Sequence, residues 1–474
     1  MTKFSAEWSR RNFLRGALAT GALVLPASGA LVGCATSGGG QEATEGEKTD
    51  QNPLGVPTDA PLEVYIFNGG FGDKYATDVH EPMYKKKYPK AKITHKAEVD
   101  IAGALQSRFV GGNPPDFVND SGDGQIPLGQ LVSDKQLYDL GDLYDAPSWD
   151  DPNTKVRDTL VPGAAEQGTF GDTTYVMNMA LTVYGIWYDK ALFDKNGWET
   201  PGTWDDMLSL CAEIKKAGIA PWTYPGVHAR YMVWPLLTMA AKLGGADVLK
   251  AIDNLEEGAW GHEAVKESAN ALAGLRSKGY ILAGTEGMDH IQAQGQWCAG
   301  KAAFVPCGSW LENEQKDAAK AAGFEFAVMP EPLLSDDSAM PLETLYATPG
   351  EPYVVPAAAK NPRGGLEYMR IMLSKEGAKG FTEQVSSLTV VKGAADGVQL
   401  PPGLTSAQAG LEAAGDNVIS YMWREWYGDM WNPGVNTHMG DLLAGRKNVD
   451  EFVEGCEAEA KKVRDDDSVT KYTR

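Results

Sequence analysis

The sequence predicts an α/β protein folded as two lobes, and three observations carry that reading. At 474 residues the chain is too long for a single hydrophobic core. Short β-rich runs alternate with helical stretches, the pattern of a mostly parallel sheet covered on both faces. No repeat with a period of about 20 to 50 residues occurs, which argues against a solenoid or propeller. Hydrophobic residues make up 43% of the chain, ample material for a core.

The elements follow in order. Leu62-Glu63-Val64-Tyr65-Ile66-Phe67 alternates and is β-rich, and it breaks at Asn68-Gly69-Gly70, so a strand enters a loop there. A helix is expected over 73–88, a strand over 92–98 and a helix over 103–110. Pro115-Asp116-Phe117-Val118-Asn119 reads as a short buried strand. Further on, 183–188 is a strand, and 204–217 is a helix introduced by Pro201 and Thr203. Helices are expected over 235–242 and 263–278, and strands over 301–305 and 324–329. Tyr353-Val354-Val355-Pro356 precedes a helix over 363–373.

The N-terminus has its own logic. Ser9-Arg10-Arg11-Asn12-Phe13-Leu14-Arg15 resembles a twin-arginine export motif, and an apolar stretch over 16–32 follows it. A chance Arg-Arg pair before an anchor helix is the alternative, but Pro26 and several glycines interrupt the stretch. It ends at Leu31-Val32-Gly33-Cys34, which resembles a lipobox with Cys34 as the lipidated residue. Residues 1–33 are therefore expected to be a signal peptide. Residues 34–60, rich in Gly, Ser, Thr, Glu and Pro, are expected to be a flexible tether. The expected location is extracytoplasmic, lipid-anchored to the outer face of the cell membrane. Beyond residue 33 no run is apolar and long enough to span a bilayer.

The formal net charge is −21, and the cationic residues of the first 33 positions make the remainder more acidic still. Such a body repels phosphate backbones, so nucleic acid is a poor partner. Cys211, Cys298, Cys307 and Cys456 form no metal-ligand spacing, and the six histidines are scattered, so neither a metal nor a cofactor is expected. Cys298 and Cys307 are close enough in sequence to pair after export; buried free thiols are the other reading.

Tyr184-Gly185-Ile186-Trp187-Tyr188-Asp189-Lys190, Leu192-Phe193, Asn196-Gly197 and Pro201-Gly202-Thr203-Trp204-Asp205-Asp206-Met207 together resemble the central block of the extracellular sugar-binding proteins of ABC importers. Gly300-Lys301-Ala302-Ala303-Phe304 with Gly308-Ser309-Trp310, and the Pro114-Pro115-Asp116 strand entry, agree with that block and keep its order. The resemblance covers about residues 61–460 and, over the whole chain, is greatest to binders of N-acetylglucosamine and diacetylchitobiose. It implies a periplasmic-binding-protein-like fold of type II with a sugar cleft between the lobes. One lobe is expected from 61–177 and 331–384, the other from 178–330 and 385–474. It further implies a monomer that binds a small carbohydrate and meets the permease subunits of an importer.

A sugar presents an apolar C–H face and a rim of hydroxyls, so its site needs aromatic surfaces and hydrogen-bonding side chains. The resemblance places Trp310, at a strand-to-helix turn, as a stacking aromatic; a core tryptophan is the alternative. Tyr231 matches a ligand-facing position better than Trp234. Trp423 and Trp426 are three apart on one helical face, so either can line the cleft while the other packs; Trp423 is assigned to the cleft. Asp120, Ser121 and Asp123 follow a strand end, in the crevice where open α/β sheets bind ligands, though an exposed acidic loop reads the same way. Asn68 ends the first strand, as a ligand contact or a turn former. Thr182 matches a ligand-facing position near the hinge.

Enzyme readings are weaker. Gly295-Gln296-Trp297-Cys298-Ala299-Gly300-Lys301-Ala302 nearly matches a phosphate loop, but Ala302 stands where Ser or Thr is required and a strand follows instead of a helix. No GxSxG elbow occurs. A secreted glycoside hydrolase needs only a carboxylate pair, which 64 acidic residues do not exclude. An adhesin fits the anchor but not the sugar-binder blocks.

Overall fold

The computed structural model describes residues 45–474 except Asp123 and Pro162, and the backbone alone of 320–322. The export motif, Cys34 and Asp123 therefore lie outside the described residues.

Twelve strands are present: β1 Leu62–Phe67, β2 Ile93–Glu98, β3 Phe117–Asn119, β4 Thr169–Phe170, β5 Thr173–Thr174, β6 Met177–Asp189, β7 Ala220–Trp222, β8 Ala302–Gly308, β9 Phe326–Met329, β10 Leu345–Val354, β11 Leu388–Thr389 and β12 Val418–Ile419. The main sheet runs β2-β1-β3-β10-β6-β8-β7. β1 pairs in parallel with β2 and β3, and its Val64 and Ile66 are fully buried, as expected of a central strand covered on both faces. β2 is the edge, and it turns Thr94, Lys96 and Glu98 to solvent, which discourages further pairing.

Two long strands join the lobes. The first part of β6, Met177–Leu181, pairs with β10, which in turn pairs with β3 through Tyr353 and Val354. The second part, Tyr184–Asp189, pairs with β8 and β9. One core lies under β1 and the helices Glu81–Lys87, Pro362–Met372 and Lys375–Val385, with Tyr75, Tyr84, Phe117, Tyr353, Tyr368 and Phe381 at its centre. The other is built on Trp187, Trp222, Trp260 and Trp297 under β6 and β8. It also takes in Ile101, Leu105, Phe109 and Leu131, where the other face of the first sheet half meets the C-terminal helices.

Local signals explain the helices that position these strands. Thr203 accepts a hydrogen bond from the Asp206 N–H at 3.2 Å and starts the helix Trp204–Lys216, which buries Met207, Cys211 and Ile214. Asn448 and Glu451 form a reciprocal cap at the start of Val449–Asp465.

Three expectations need correction. Residues 45–60 are not the flexible tether expected over 34–60: Leu54 and Val56 are buried, and the Asn52 side chain donates to the carbonyls of Glu47 and Val56. Arg363 donates to Glu45 at 2.9 Å, fixing the segment to the first lobe. Two apolar residues suffice to dock a stretch that is polar on average. The crossing expected at 330/331 falls later. Lys242, fully buried, donates to the carbonyls of Glu331 and Leu342, and the Trp204 N–H bonds Leu333, so this stretch stays with the second lobe until β10. The boundary at 384/385 also moves, because β11 pairs with β6 at Leu181 and Ala180, and Val390, Val391 and Ala394 pack in the first core.

Cys211, Cys298, Cys307 and Cys456 are all buried and free. The reading of Cys298 and Cys307 as a pair is not realised. Burial pushes the Cys211 and Cys298 thiols up to about 12, and those of Cys307 and Cys456 well above their ordinary value.

Candidate functional site

The first-lobe wall is formed at the carboxyl ends of β1 and β3. Asn119, the last residue of β3, accepts from the Phe67 N–H and from the Tyr75 hydroxyl, both at 3.2 Å, and donates to the Pro352 carbonyl at 3.1 Å. These bonds tie β1, β3 and β10 together just below the crevice. Asp120 follows, 1% exposed, with Oδ1 accepting from the Ile126 N–H at 2.9 Å. Its Oδ2 is buried with no hydrogen-bond partner among the described residues. Burial pushes this carboxyl up to about 7. Ser121 donates to Glu351 Oε2 at 3.0 Å, and Glu351, its carboxylate enclosed, is likewise pushed up by burial to about 7. Asn68 is exposed at the end of β1. Asp123 lies outside the described residues.

The second-lobe wall is aromatic. Trp310 follows the Gly308 end of β8, as its Gly-Ser-Trp turn suggests, and is partly buried. Its ring lies over Gly308, where an added Cβ would stand 2.0 Å from it, so this close approach requires glycine. The Trp310 ring meets Tyr184, Tyr231 and Trp234 edge to face, at centroid distances of 5.5, 6.3 and 5.7 Å. Tyr231 packs on Trp234 at 4.3 Å. Behind them Tyr184 stacks on Tyr346 at 4.4 Å, and Tyr346 on Tyr421 at 4.5 Å. Arg424 donates to the Tyr184 hydroxyl at 3.3 Å and to Glu425 at 2.5 Å, which puts an ion pair against the aromatic stack.

The walls touch at one rim. Asn313 donates to the Gly70 carbonyl at 2.5 Å, and Glu314 Oε1 is so close to Gly70 that a Cβ there would lie 2.9 Å from it. The loop after β1 thus meets the start of the helix Leu311–Ala322. Thr182 is buried and sits opposite Thr348 where β6 and β10 pass between lobes, so it lies at the crossing.

Trp423 is a correction. It is fully buried in the second core, edge-on to Trp260 at 5.4 Å and to Trp431 at 5.3 Å. Trp426 packs on Tyr472 at 5.5 Å. Both belong to packing, because Asp253 accepts from the N–H groups of Met422 and Trp423 and pins the start of that helical turn inward. The sequence reading did not single out Glu351, Arg424 or Tyr184, which pack beside the candidate site residues Ser121 and Trp310. Tyr184 was visible within a family block; nothing in the local sequence marked the other two.

Flat aromatic surfaces on one side and enclosed carboxylates on the other suit a polyol: C–H faces stack and hydroxyls donate. Among the described residues no group of three or more His, Cys, Asp or Glu is placed to hold a metal ion. A cavity of about 480 Å³ beside Met422, Trp426 and Tyr472 is lined by none of these cleft residues.

Comparison with known proteins places these features in context. The family model described as bacterial extracellular solute-binding protein matches residues 67–379. The diacetylchitobiose binding protein NgcE of Streptomyces coelicolor is 37% identical over 478 aligned residues, covering 99% of each chain. Apo RafE of Streptococcus pneumoniae shares the fold with a TM-score of 0.65 at 18% identity, over 86% of this chain and 99% of that one. A chitin oligosaccharide binding protein does so with a TM-score of 0.64 at 18% identity, over 84% and 98%. The fold is thus the two-lobed periplasmic-binding architecture.

Proposed function

The chain belongs to the bacterial extracellular solute-binding protein family, and from that premise we propose that it is the sugar receptor of an ABC importer that takes N-acetylglucosamine or N,N'-diacetylchitobiose and delivers it to the membrane permease. The observation that carries the choice of sugar is the full-length likeness to a diacetylchitobiose-binding relative. The pairing of an aromatic wall with a carboxylate wall supports a carbohydrate in the cleft. Members of the family are receptors, so the hydrolase reading is set aside. The proposal includes twin-arginine export, lipidation at Cys34 and action as a monomer at the outer face of the cell membrane. Among the described residues no helix is long and apolar enough to cross a membrane.

Binding works through closure. A sugar that touches both walls stabilises the closed arrangement over the open one, which is a population shift. Release to the permease requires moderate affinity, so a Kd near micromolar, about −8 kcal/mol, is expected. Calorimetry should find one site for the dimer, with glucose at least about tenfold weaker because partners of the acetamido group stay unpaired. Equal affinity for glucose would overturn the chitin-sugar assignment alone; cleavage of the dimer would overturn the receptor. Cys34→Ala should release the protein from membranes, and its retention there would refute the anchor.

A further inference from the structure

Among the described residues, four that are not glycine have a left-handed backbone: Lys135, Leu255, Ser386 and Glu351. Three of them end helices. Ser386 is the C-cap of Lys375–Val385, while Lys135 and Leu255 each follow the C-cap of a short helix and bond back to the carbonyls of Val132 and Ile252. That is a common way for a helix to stop. Glu351 has no such reason. It lies inside β10 with φ +58°, between Gly350 and Pro352, and it is skipped in the ladder that pairs those neighbours with Ala180 and Asn178. A left-handed conformation at a side-chain-bearing residue persists only where the surroundings over-determine it.

The surroundings do so here. The Pro352 carbonyl accepts from both the Asp120 N–H and the Asn119 side chain, which holds the next peptide in place. The Glu351 side chain is turned onto Ser121, at the carboxyl end of β3. The fold gains little from a carboxylate there. The Asn119 side chain, bonded to Phe67, Tyr75 and Pro352, also hydrogen-bonds Glu351, and a neutral amide can accept from both Asn119 and Ser121. No cation contributes to holding the enclosed charge. A carboxylate has about four acceptor positions, of which Ser121 and Asn119 use two, and the neighbouring Asp120 Oδ2, on a residue 1% exposed, has no partner among the described residues. The spare acceptors sit where open sheets bind ligands, on the strand that continues into the other lobe.

We propose that Glu351 is a ligand-anchoring residue of the first-lobe wall, whose carboxylate accepts hydrogen bonds from hydroxyl or amide N–H donors of the bound sugar, and that its left-handed backbone is the device that aims it. This rests on the reading of the cleft as a carbohydrate site. The acceptor positions of Glu351 that Ser121 and Asn119 leave open, and the unpartnered Asp120 Oδ2, gain donors when the sugar arrives, so the cost of enclosing these carboxyl groups is relieved on binding.

The test uses the folded chain with N,N'-diacetylchitobiose, N-acetylglucosamine and a panel of other mono- and disaccharides. Calorimetry measures affinity, and thermal melting measures the unliganded protein. E351Q keeps the size but loses acceptor strength; E351G accepts the left-handed φ without strain. Both should bind at least about tenfold more weakly than the wild type, and unliganded E351G should melt no lower than the wild type. Affinities of both variants within twofold of wild type, with W310A still impaired, would refute the role of Glu351 and leave the sugar cleft standing. A melting temperature for E351G well below wild type would make Glu351 a structural group and equally refute the proposal. Wild-type protein that binds none of the sugars would overturn the cleft reading itself, and this role with it.

Discussion

On the first-lobe side of the cleft, Asp120 and Glu351 are carboxyl groups that burial pushes up to about 7, whereas on the second-lobe side the rings of Tyr231, Trp234 and Trp310 pack with centroids within 6.3 Å of one another. The rings of the aromatic wall pack on one another, although the buried Trp234 Nε1 has no hydrogen-bond partner among the described residues. On the polar wall the unpartnered atom, Asp120 Oδ2, belongs to a carboxyl group, whose enclosure costs more than that of a neutral N–H. Two halves of one site can therefore carry opposite balances between stability and binding: substitution on the aromatic side removes contact area, while substitution on the polar side removes a burden.

The largest expected effect marks where the aromatic wall ends and the core begins. Trp423→Ala should destabilise the unliganded protein by about 3–5 kcal/mol, the usual range for a tryptophan removed from a packed interior. Chemical denaturation measures it. A loss below about 1 kcal/mol with greatly reduced sugar affinity would return Trp423 to the cleft.

Asp120→Asn tests the polar wall. The carboxyl titrates near 7 in the folded protein and near 3.9 when unfolded, so the native state binds more protons between those values. Wild-type stability should accordingly fall relative to the variant as pH rises from 4 to 7, by up to about 4 kcal/mol, and the gap should stay constant above pH 7. Denaturation curves collected at several pH values give that gap. A difference independent of pH would mean that Asp120 is not enclosed as described, and the contrast between the walls would weaken.

The smallest effect concerns Trp310. Trp310→Ala should weaken sugar binding by about 1–2 kcal/mol, fivefold or more, with a modest change in unliganded melting temperature. Unchanged affinity with a large loss of stability would assign the ring to packing alone and deprive the aromatic wall of its exposed member.

The architecture was largely legible in the chain. The run from Tyr184 to Tyr188 and the Thr203 cap are local signals, so the second half of β6 and the helix Trp204–Lys216 fall where periodicity and capping put them, whereas β6 begins six residues earlier than expected, at Met177. The lobe crossings were less legible, because they depend on which distant partner a segment finds: Lys242 holds 331–342 against the second lobe through backbone carbonyls that carry no sequence signature. Leu54 and Val56 were hidden by averaging over a polar stretch. At the site, Asp120 and Ser121 were reachable from the strand-end rule, and the structure brings Ser121 onto Glu351. Trp423 and Trp426 share a helical face, and only the Asp253 anchor decides that both turn inward. Glu351 was invisible because its distinguishing property is a backbone angle.

The buried cysteines bear on how the molecule is handled chemically. Only the thiolate attacks an alkylating reagent or an oxidant, and at Cys211, Cys298, Cys307 and Cys456 burial both blocks access and suppresses ionisation. Passage from a reducing to an oxidising medium therefore leaves these four side chains covalently unchanged while the fold is intact. Their labelling becomes a clock for unfolding: a thiol reagent reports each opening of the core, and because Cys298 ends the helix before β8 and Cys307 lies within β8, it reads that opening beside the strand that leads to Trp310.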